Sequence, residues 1–445
     1  MSDSHSSHHV EKAPSQPQPH NSFFEGSQDA RTARSTYLKM MVGIFFATTF
    51  IIFTIFPLFW GSIYKTPAHN LKGYLVDFDG GLVGQGVMAA MTAQPEAQKI
   101  TWEVLPSSTF PGGPEEVGAR VFDEEAWIAV VANPNASARL ASAIANPDPS
   151  YDGSLAVTVF AVEARLESAY RGLLIPSTQA RLIGVGRASS VQVMQSAVSS
   201  GVNVSAIVAA SPQTLASPVG FTIRNLAPYD QQMAFGVTFI GLIFQMILAI
   251  FIVMGSMGAR EKAGLTQRLQ TGSMIMLRFA TLFLAYFFLS LLYSLLAMGF
   301  GLEFGKKFGH AGFVIFWMLN WSNMLALGLA VEAVVLALPL PLVPFLIMLL
   351  IISNVAVVAN PIEVLPHIYR YGYAMPFYNM SKGIRTILFA THNQVGMTFG
   401  ILWAWIILSC ITVPVFQILN RRRNASPSQK ENTPAQDDKL QTDNA

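Results

Sequence analysis

Residues 40–60 read MMVGIFFATTFIIFTIFPLFW, an apolar run without a single charged side chain. As a helix rising 1.5 Å per residue, these roughly 21 residues reach about 31 Å, the thickness of a bilayer's hydrocarbon layer. The run lies too deep in the chain, and is too long, for a cleavable signal sequence. It reads as a permanent anchor, transmembrane helix 1 over residues 37–60, which carries the following segment across a membrane.

Composition agrees. Charged residues make up 12% of the chain, about half the usual share, while 52% are hydrophobic. Mean hydropathy is +0.41, a membrane-protein value. A net charge of +2 with scattered basic residues gives no reason to expect nucleic acid. Cys410 is the single cysteine, so neither an internal disulfide nor a cysteine-based metal site can form.

Ahead of the anchor, residues 1–36 are rich in Ser, His, Pro and Gln and read as a disordered cytoplasmic tail. Its His5, His8, His9 and His20 belong to low-complexity polar sequence rather than to a metal site. Arg31, Arg34 and Lys39 on one flank, against Lys65 and Lys72 on the other, put the N-terminus in the cytoplasm.

Residues 61–232 contain no membrane-length apolar run. Strand-like stretches at 73–78, 101–105, 127–132, 155–162 and 221–226 alternate with helix-like runs at 83–92, 114–122, 136–144 and 164–200. Such alternation predicts βαβ units and a mostly parallel sheet, hence an α/β extracytoplasmic domain. Asn135-Ala-Ser and Asn203-Val-Ser within it are glycosylation acceptors.

Five more apolar runs follow, at 233–257, 274–300, 312–338, 342–358 and 397–419; the fourth of these is near the lower length for a span. The expected fold is therefore an α-helical polytopic membrane protein with six transmembrane helices, one before the α/β domain and five after it. The membrane domain covers residues 233–420 and a cytoplasmic tail residues 421–445, with Arg421, Arg422 and Arg423 stopping the last helix inside. Lys306, Lys307, Arg370, Lys382 and Arg385 fall outside, against the positive-inside tendency. The Tyr- and Pro-rich loop 360–396 reads as an interfacial belt, with Tyr369, Tyr371, Tyr373 and Tyr378 at headgroup level. In that setting Asn379-Met-Ser would be a poor glycan acceptor.

Few residues carry chemistry. Asp77-Phe-Asp79-Gly80-Gly81 ends an apolar strand, where open sheets hold ligands. It looks like the start of a haloacid-dehalogenase phosphotransferase motif, but Gly81 replaces the expected Thr. The bland alternative is a strand ending in an Asp/Gly turn. Arg278 and Glu332 are ionisable residues inside apolar runs, each costing about 3 kcal/mol at a helix centre unless paired. Both fall within about two turns of the cytoplasmic end of their helices, so they could form an intramembrane charge pair across neighbouring helices; Arg278 snorkelling to the interface with Glu332 at a wet helix end is the better match. Asn320, Ser322, Asn323 and Asn354 serve as interhelical glue or line a polar path, with glue the better match.

There is no G-x-x-x-x-G-K-[ST] phosphate loop, the Gly301–Lys306 stretch having its first Gly out of place. H-E-x-x-H and G-x-S-x-G are also missing. The expectation is a non-enzyme without cofactor or metal.

Three long stretches, FPLFWGSIYKTPAHNLKGYLVDFDGGLVGQ at 56–85, EEAWIAVVANPNAS at 124–137, and YRYGYAMPFYN at 369–379 with GIRTILFATHNQVG at 383–396, resemble the fungal nitrosoguanidine-resistance membrane-protein family. The resemblance runs from about residue 34 to about residue 419. More remotely the architecture is similar to ABC-type exporter permeases and bacterial phage-infection membrane proteins. It implies a fungal plasma-membrane protein associated with resistance to mutagens and other toxic compounds, and transfers no catalytic residues. Two functions follow from it. One is an export permease for amphipathic drugs or lipids, energised by a separate ATPase docking on residues 260–272 or by an ion gradient through Glu332. The other is a membrane regulator or scaffold that transports nothing and alters lipid distribution or another membrane protein. The bilayer is a partner in both, and a second copy of the chain is a further candidate.

Overall fold

The computed structural model describes residues 23–24, 26–93 and 99–425. The chain divides into two compact units, Met1–Pro57 and Leu58–Ala445. The first is built on helix α1, Gln28–Thr54, in which only Ala30 is buried. Ser27 caps it, its hydroxyl accepting the Ala30 amide at 3.3 Å, and Asp29 sits in the first turn near the positive end of the helix dipole. The helix thus begins inside the stretch expected to be a tail through residue 36, because a local cap and good helix formers precede the apolar run. The remainder of both expected tails, residues 1–22 and 426–445 with all four tail histidines, lies outside the described residues.

Helix α2, Phe56–Ile63, leads into the second unit, which opens with a sheet domain. Strand β1 (Leu71–Asp77), α3 (Leu82–Thr92), β2 (Ile100–Pro106), α4 (Pro114–Phe122), β3 (Ile128–Ala132), α5 (Ala136–Ala145) and β4 (Val157–Ala161) alternate along the chain. A short α6 (Glu167–Ala169), one π turn, α7 (Ile175–Ser199), α8 (Val204–Ala210) and α9 (Pro212–Ala216) then lead to β5 (Phe221–Asn225). The strands stand in the order β2-β1-β3-β4-β5.

Strand β1 pairs in parallel with β2 and β3, and β4 pairs in parallel with β5, but β3 and β4 are antiparallel. A mostly parallel sheet was expected, and the reversal has a local cause. After α5 the Pro- and Asp-rich residues 146–156 bring the chain back to the end where β3 stopped. There the Asn133 amide donates to the Ala156 carbonyl at 2.9 Å, so β4 starts beside that end and runs back.

Side chains alternate between two apolar faces. Leu71, Leu75, Ile128, Val130, Val157 and Val159 share one core with α3, α5 and α7. Tyr74, Val76, Ala129, Val131 and Phe160 face the other way, under α4, in a cluster that continues without a break into the helical block.

That block contains α10 (Gly241–Lys262), a short α11 (Leu265–Arg268), α12 (Thr271–Gly299), a short α13 (Gly305–Phe308), α14 (Ala311–Ala337), α15 (Val343–Val355), α16 (Pro376–Phe389) and α17 (Val395–Ala425). Five helices among the described residues are long and apolar enough to cross a membrane: Gln28–Ile63, Gly236–Lys262, Thr271–Gly299, Ala311–Ala337 and Val395–Arg423. The expected run at 342–358 yields only the 13 residues of α15, about 20 Å of helix, since Pro339, Pro341 and Pro344 crowd its start. Helix α17 continues to Ala425, past the residue-420 boundary expected for the last span.

Residues 360–396, expected at the membrane interface, are in large part packed inside the protein. Helix α16 is buried on nearly all sides, Tyr369 is buried, Tyr371 and Tyr378 are half-buried, and only Tyr373 of the four stays exposed. The segment is a wedge between the sheet domain and the long helices, and its Lys382, Arg385 and His392 side chains meet carboxylates of the sheet domain. Lys382 meets Glu124 at 2.9 Å, Arg385 meets Glu167 at 2.5 Å, and His392 meets Asp123 at 3.2 Å. Lys306 likewise pairs with Asp230 at 2.5 Å. Three of the five cations that ran against the positive-inside tendency, Lys306, Lys382 and Arg385, are thus paired with carboxylates within the protein.

Candidate functional site

The buried face of α12 runs by fours from Met274 through Arg278, Leu282, Tyr286 and Ser290 to Ser294, and ends at Ala297. That spacing makes one ridge along the helix, which packs on α14 and α10. The ridge is polar at intervals: Arg278, Tyr286 and Ser294 find partners on neighbouring helices, while the Ser290 hydroxyl donates to the Phe287 carbonyl of its own helix. Gln245 of α10 donates to the Asn320 carbonyl at 2.7 Å and accepts from the Asn323 amide at 2.8 Å, while Asn320 donates to the Ser294 hydroxyl at 3.0 Å. Further along, the Tyr286 hydroxyl donates to the Ala249 carbonyl at 3.0 Å. It fits there because residue 328 of α14 is Gly; any Cβ at that position would run into the Tyr286 ring.

At the far end of this file lies a charge cluster. Glu332 of α14 is fully buried, and its Oε1 accepts from Arg278 of α12 and, at 3.0 Å, from Arg260 of α10. The two arginines are 5% and 7% exposed, for Arg260 and Arg278 respectively. Two guanidiniums against one carboxylate leave an excess positive charge inside the helical block. Both arginines crowd onto one oxygen, and Glu332 Oε2 and Arg278 Nε have no hydrogen-bond partner among the described residues. A buried charge survives only when paired and hydrogen-bonded, so the cluster, with its unpartnered atoms, is the most polarised point of the bundle.

Arg278 and Glu332 meet in the bundle, and Arg278 does not snorkel to a helix end. Arg260, three residues beyond the apolar run at 233–257 and within the segment 260–272 considered for ATPase docking, joins them. Helix α10 continues past the apolar run that ends at Met257, and the extra turn swings Arg260 inward; its position seven residues after Val253, on the buried face, was the available signal. Of the other polar residues, Asn320 and Asn323 belong to the network, whereas Asn354 accepts the Phe377 amide at 3.2 Å and fixes the start of α16. Ser322 donates back to the Met318 carbonyl of its own helix.

Asp77 and Asp79 lie at the C-terminal end of β1. Asp77 Oδ1 accepts the amides of Asp79 and Gly80, closing an Asx turn. Asp79 sits where the N-termini of α3 and α5 converge. It accepts the Ser137 hydroxyl at 2.5 Å and the amides of Ser137, Gly84 and Gly81. Burial pushes its carboxyl up, but these hydrogen bonds outweigh burial and hold it below the usual range. The carboxylate takes the place a bound anion would take at two helix N-termini.

Asn135 and Asn203 are both exposed; Asn135 has left-handed backbone before α5, and Asn203 caps α8 through its carbonyl oxygen. Asn379 is buried and donates to the Tyr373 and Met375 carbonyls. Among the described residues no group of three or more His, Cys, Asp or Glu side chains is placed to hold a metal ion.

Fold and site together define a polytopic helical membrane protein whose long helices enclose a polar, charged file. The chain belongs to the family described as "Protein of unknown function (DUF3533)", which matches residues 44–411. It is 26% identical over 402 residues to the uncharacterized endoplasmic reticulum membrane protein YJR015W of Saccharomyces cerevisiae, covering 82% of this chain and 76% of that protein. No solved structure matches.

Proposed function

We propose that this is a permease-like membrane protein that exports amphipathic toxic compounds or lipids, with the sheet domain on the far side from the cytoplasm. The observation that carries the proposal is the Arg260–Glu332–Arg278 cluster at one end of the polar file through α10, α12 and α14. Intramembrane ionisable groups are costly, and mark substrate or ion pathways more often than structural sites. The resemblance to nitrosoguanidine-resistance proteins supports a role in resistance. An energy source would be an ion gradient through Glu332 or a separate ATPase on the loop around α11, which Arg421 holds by donating to the Leu269 carbonyl at 2.5 Å.

Six crossings fit this proposal. Residues 340–355 begin beside the end of α14 and finish beside α16, where the Tyr371 hydroxyl donates to the Ser353 carbonyl at 3.0 Å. That path is roughly 24 Å, short for an average bilayer and nearer the thinner endoplasmic reticulum membrane of about 27 Å. The name of the yeast relative supports the same membrane over the plasma membrane. Both termini would then be cytoplasmic.

A second function, a regulator or scaffold that transports nothing, draws support from the network itself. The amides of Gln245 and Asn320 are engaged on both their oxygen and their nitrogen, which is how interhelical glue behaves.

The test is efflux of a labelled toxic compound, alongside a probe of lipid exposure, in cells lacking the protein or carrying wild type, Glu332→Gln, or Glu332→Gln with Arg278→Gln. The double variant keeps the cluster's net charge while removing the carboxylate. Efflux that needs wild type and fails in the double variant, at equal protein level, supports transport coupled through Glu332. Efflux independent of the protein with altered lipid exposure replaces the permease by the regulator.

A further inference from the structure

A cavity of about 30 Å3 lies where the sheet domain meets the wedge. Trp127 and Arg165 line it from the sheet domain, Glu363 from the wedge's leading segment, and Ser381, Lys382 and Arg385 from α16. Room of that size holds about two waters or one small ion.

Three cations border the cavity, and two of them have carboxylates of their own. Lys382 meets Glu124 at 2.9 Å, and Arg385 meets Glu167 at 2.5 Å. Arg165 forms no ion pair among the described residues. Its Nη1 donates to the Ala126 carbonyl at 2.9 Å, and its guanidinium lies 3.6 Å from the centre of the Trp127 ring. Stacking fixes the plane of the fork, and that one bond leaves most of its N–H donors without an acceptor among the described residues. Burial pushes the Arg165 guanidinium down, and the charges of Glu124 and Glu363 offset only part of this. Glu363, the carboxylate in the cavity wall, is exposed and forms no ion pair among the described residues. The Ser381 hydroxyl accepts from Arg385 Nε at 3.4 Å, which leaves its own proton to donate.

We infer that this cavity binds chloride, held by Arg165 of the sheet domain and by Ser381, Lys382 and Arg385 of α16. A shielded guanidinium without a counter-ion is costly, and one monovalent anion supplies the missing charge. The cavity is too small for a lipid headgroup, and its wall offers donors of both domains to a single ion. The bound ion adds a third ionic link between sheet domain and wedge, beside the Glu124 and Glu167 pairs. This site goes beyond the proposed function and stands whether or not the protein transports anything.

The experiment uses the full-length protein in neutral detergent at a constant ionic strength of about 0.15 M, with chloride replacing gluconate stepwise and phosphate as a further arm. Chloride should raise the melting temperature of the wild type saturably, as a ligand bound to the folded state does, while phosphate should not match it. Arg165→Gln should bind chloride about tenfold more weakly or worse. Glu363→Gln, an exposed change that should fold even where Arg165→Gln does not, should tighten binding about threefold by removing a nearby like charge. Four outcomes overturn the inference: a melting temperature indifferent to chloride, equal stabilisation by phosphate, an undiminished response in Arg165→Gln, or binding in Glu363→Gln that is unchanged or weaker. Efflux plays no part in these readouts, so failure here leaves the transport proposal untouched.

Discussion

Glu332 is the residue on which the helical block's electrostatics turn. With it ionised, the cluster of Arg260, Arg278 and Glu332 carries one excess positive charge; without it, two guanidiniums face each other in an apolar bundle. The order of damage among substitutions follows from that balance. Glu332→Gln strands both arginines and should cost about 3–5 kcal/mol, the scale for an uncompensated buried charge. Arg278→Gln leaves a neutral Arg260–Glu332 pair and should cost no more than about 1–2 kcal/mol. Melting temperatures of the purified variants in one detergent decide between them, and Arg278→Gln proving the more harmful would show that Arg278, not the carboxylate, anchors the cluster. Asp79 shows a different use of a buried carboxylate. Its four donors are the chain's own, so its charge is spent on fixing the starts of α3 and α5.

Among the elements, α16 explains how a sheet domain and a helical block form one unit. Its cations reach back roughly 200 residues or more along the chain to Glu124 and Glu167. Glu124 is 14% and Lys382 24% exposed, so the pair is partly shielded from water. Burial pushes the Glu124 carboxyl up, yet Arg165, Lys382 and His392 together hold it below the usual range. A carboxyl depressed on folding adds stability that is present above its unfolded value and lost as pH falls through its folded one. Lys382→Gln should therefore cost about 1–3 kcal/mol at pH 7, and the gap to wild type should narrow as pH drops below about 4.5. Melting curves of both proteins from pH 7 to pH 3 test this; a gap constant over that range removes Glu124 as its source.

Much at this scale was legible from local pattern. The strands and α3, α4 and α5 fall within about two residues of their expected bounds, because alternation and turn residues are local signals. What escaped was set by distant partners. The burial of residues 376–389, within the segment 360–396 read as an interfacial belt, was hidden because their carboxylate partners lie far away in sequence. Strand direction between β3 and β4 escaped too, since pattern carries no sense of direction, and Arg260 was hidden by one extra helical turn.

For the molecule as a whole, orientation connects these parts. If the sheet domain faces the lumen, the enzymes that add glycans meet Asn135 and Asn203, both at exposed helix starts. Asn379 belongs to a segment buried against the long helices and is tied to two backbone carbonyls, so it should stay bare although its sequon is intact. The wild-type protein should therefore lose two increments of mass on endoglycosidase treatment. Asn135→Gln and Asn203→Gln should each remove one, and Asn379→Gln none. Sensitivity to an endoglycosidase specific for high-mannose glycans would place the protein in the endoplasmic reticulum. No glycan on either sheet-domain site, in protein whose engineered lumenal control sequon is used, would put the sheet domain in the cytoplasm. The basic α10–α12 connection and the basic end of α17 would then face the lumen, and the charge cluster would lie near the side away from any cytosolic ATPase.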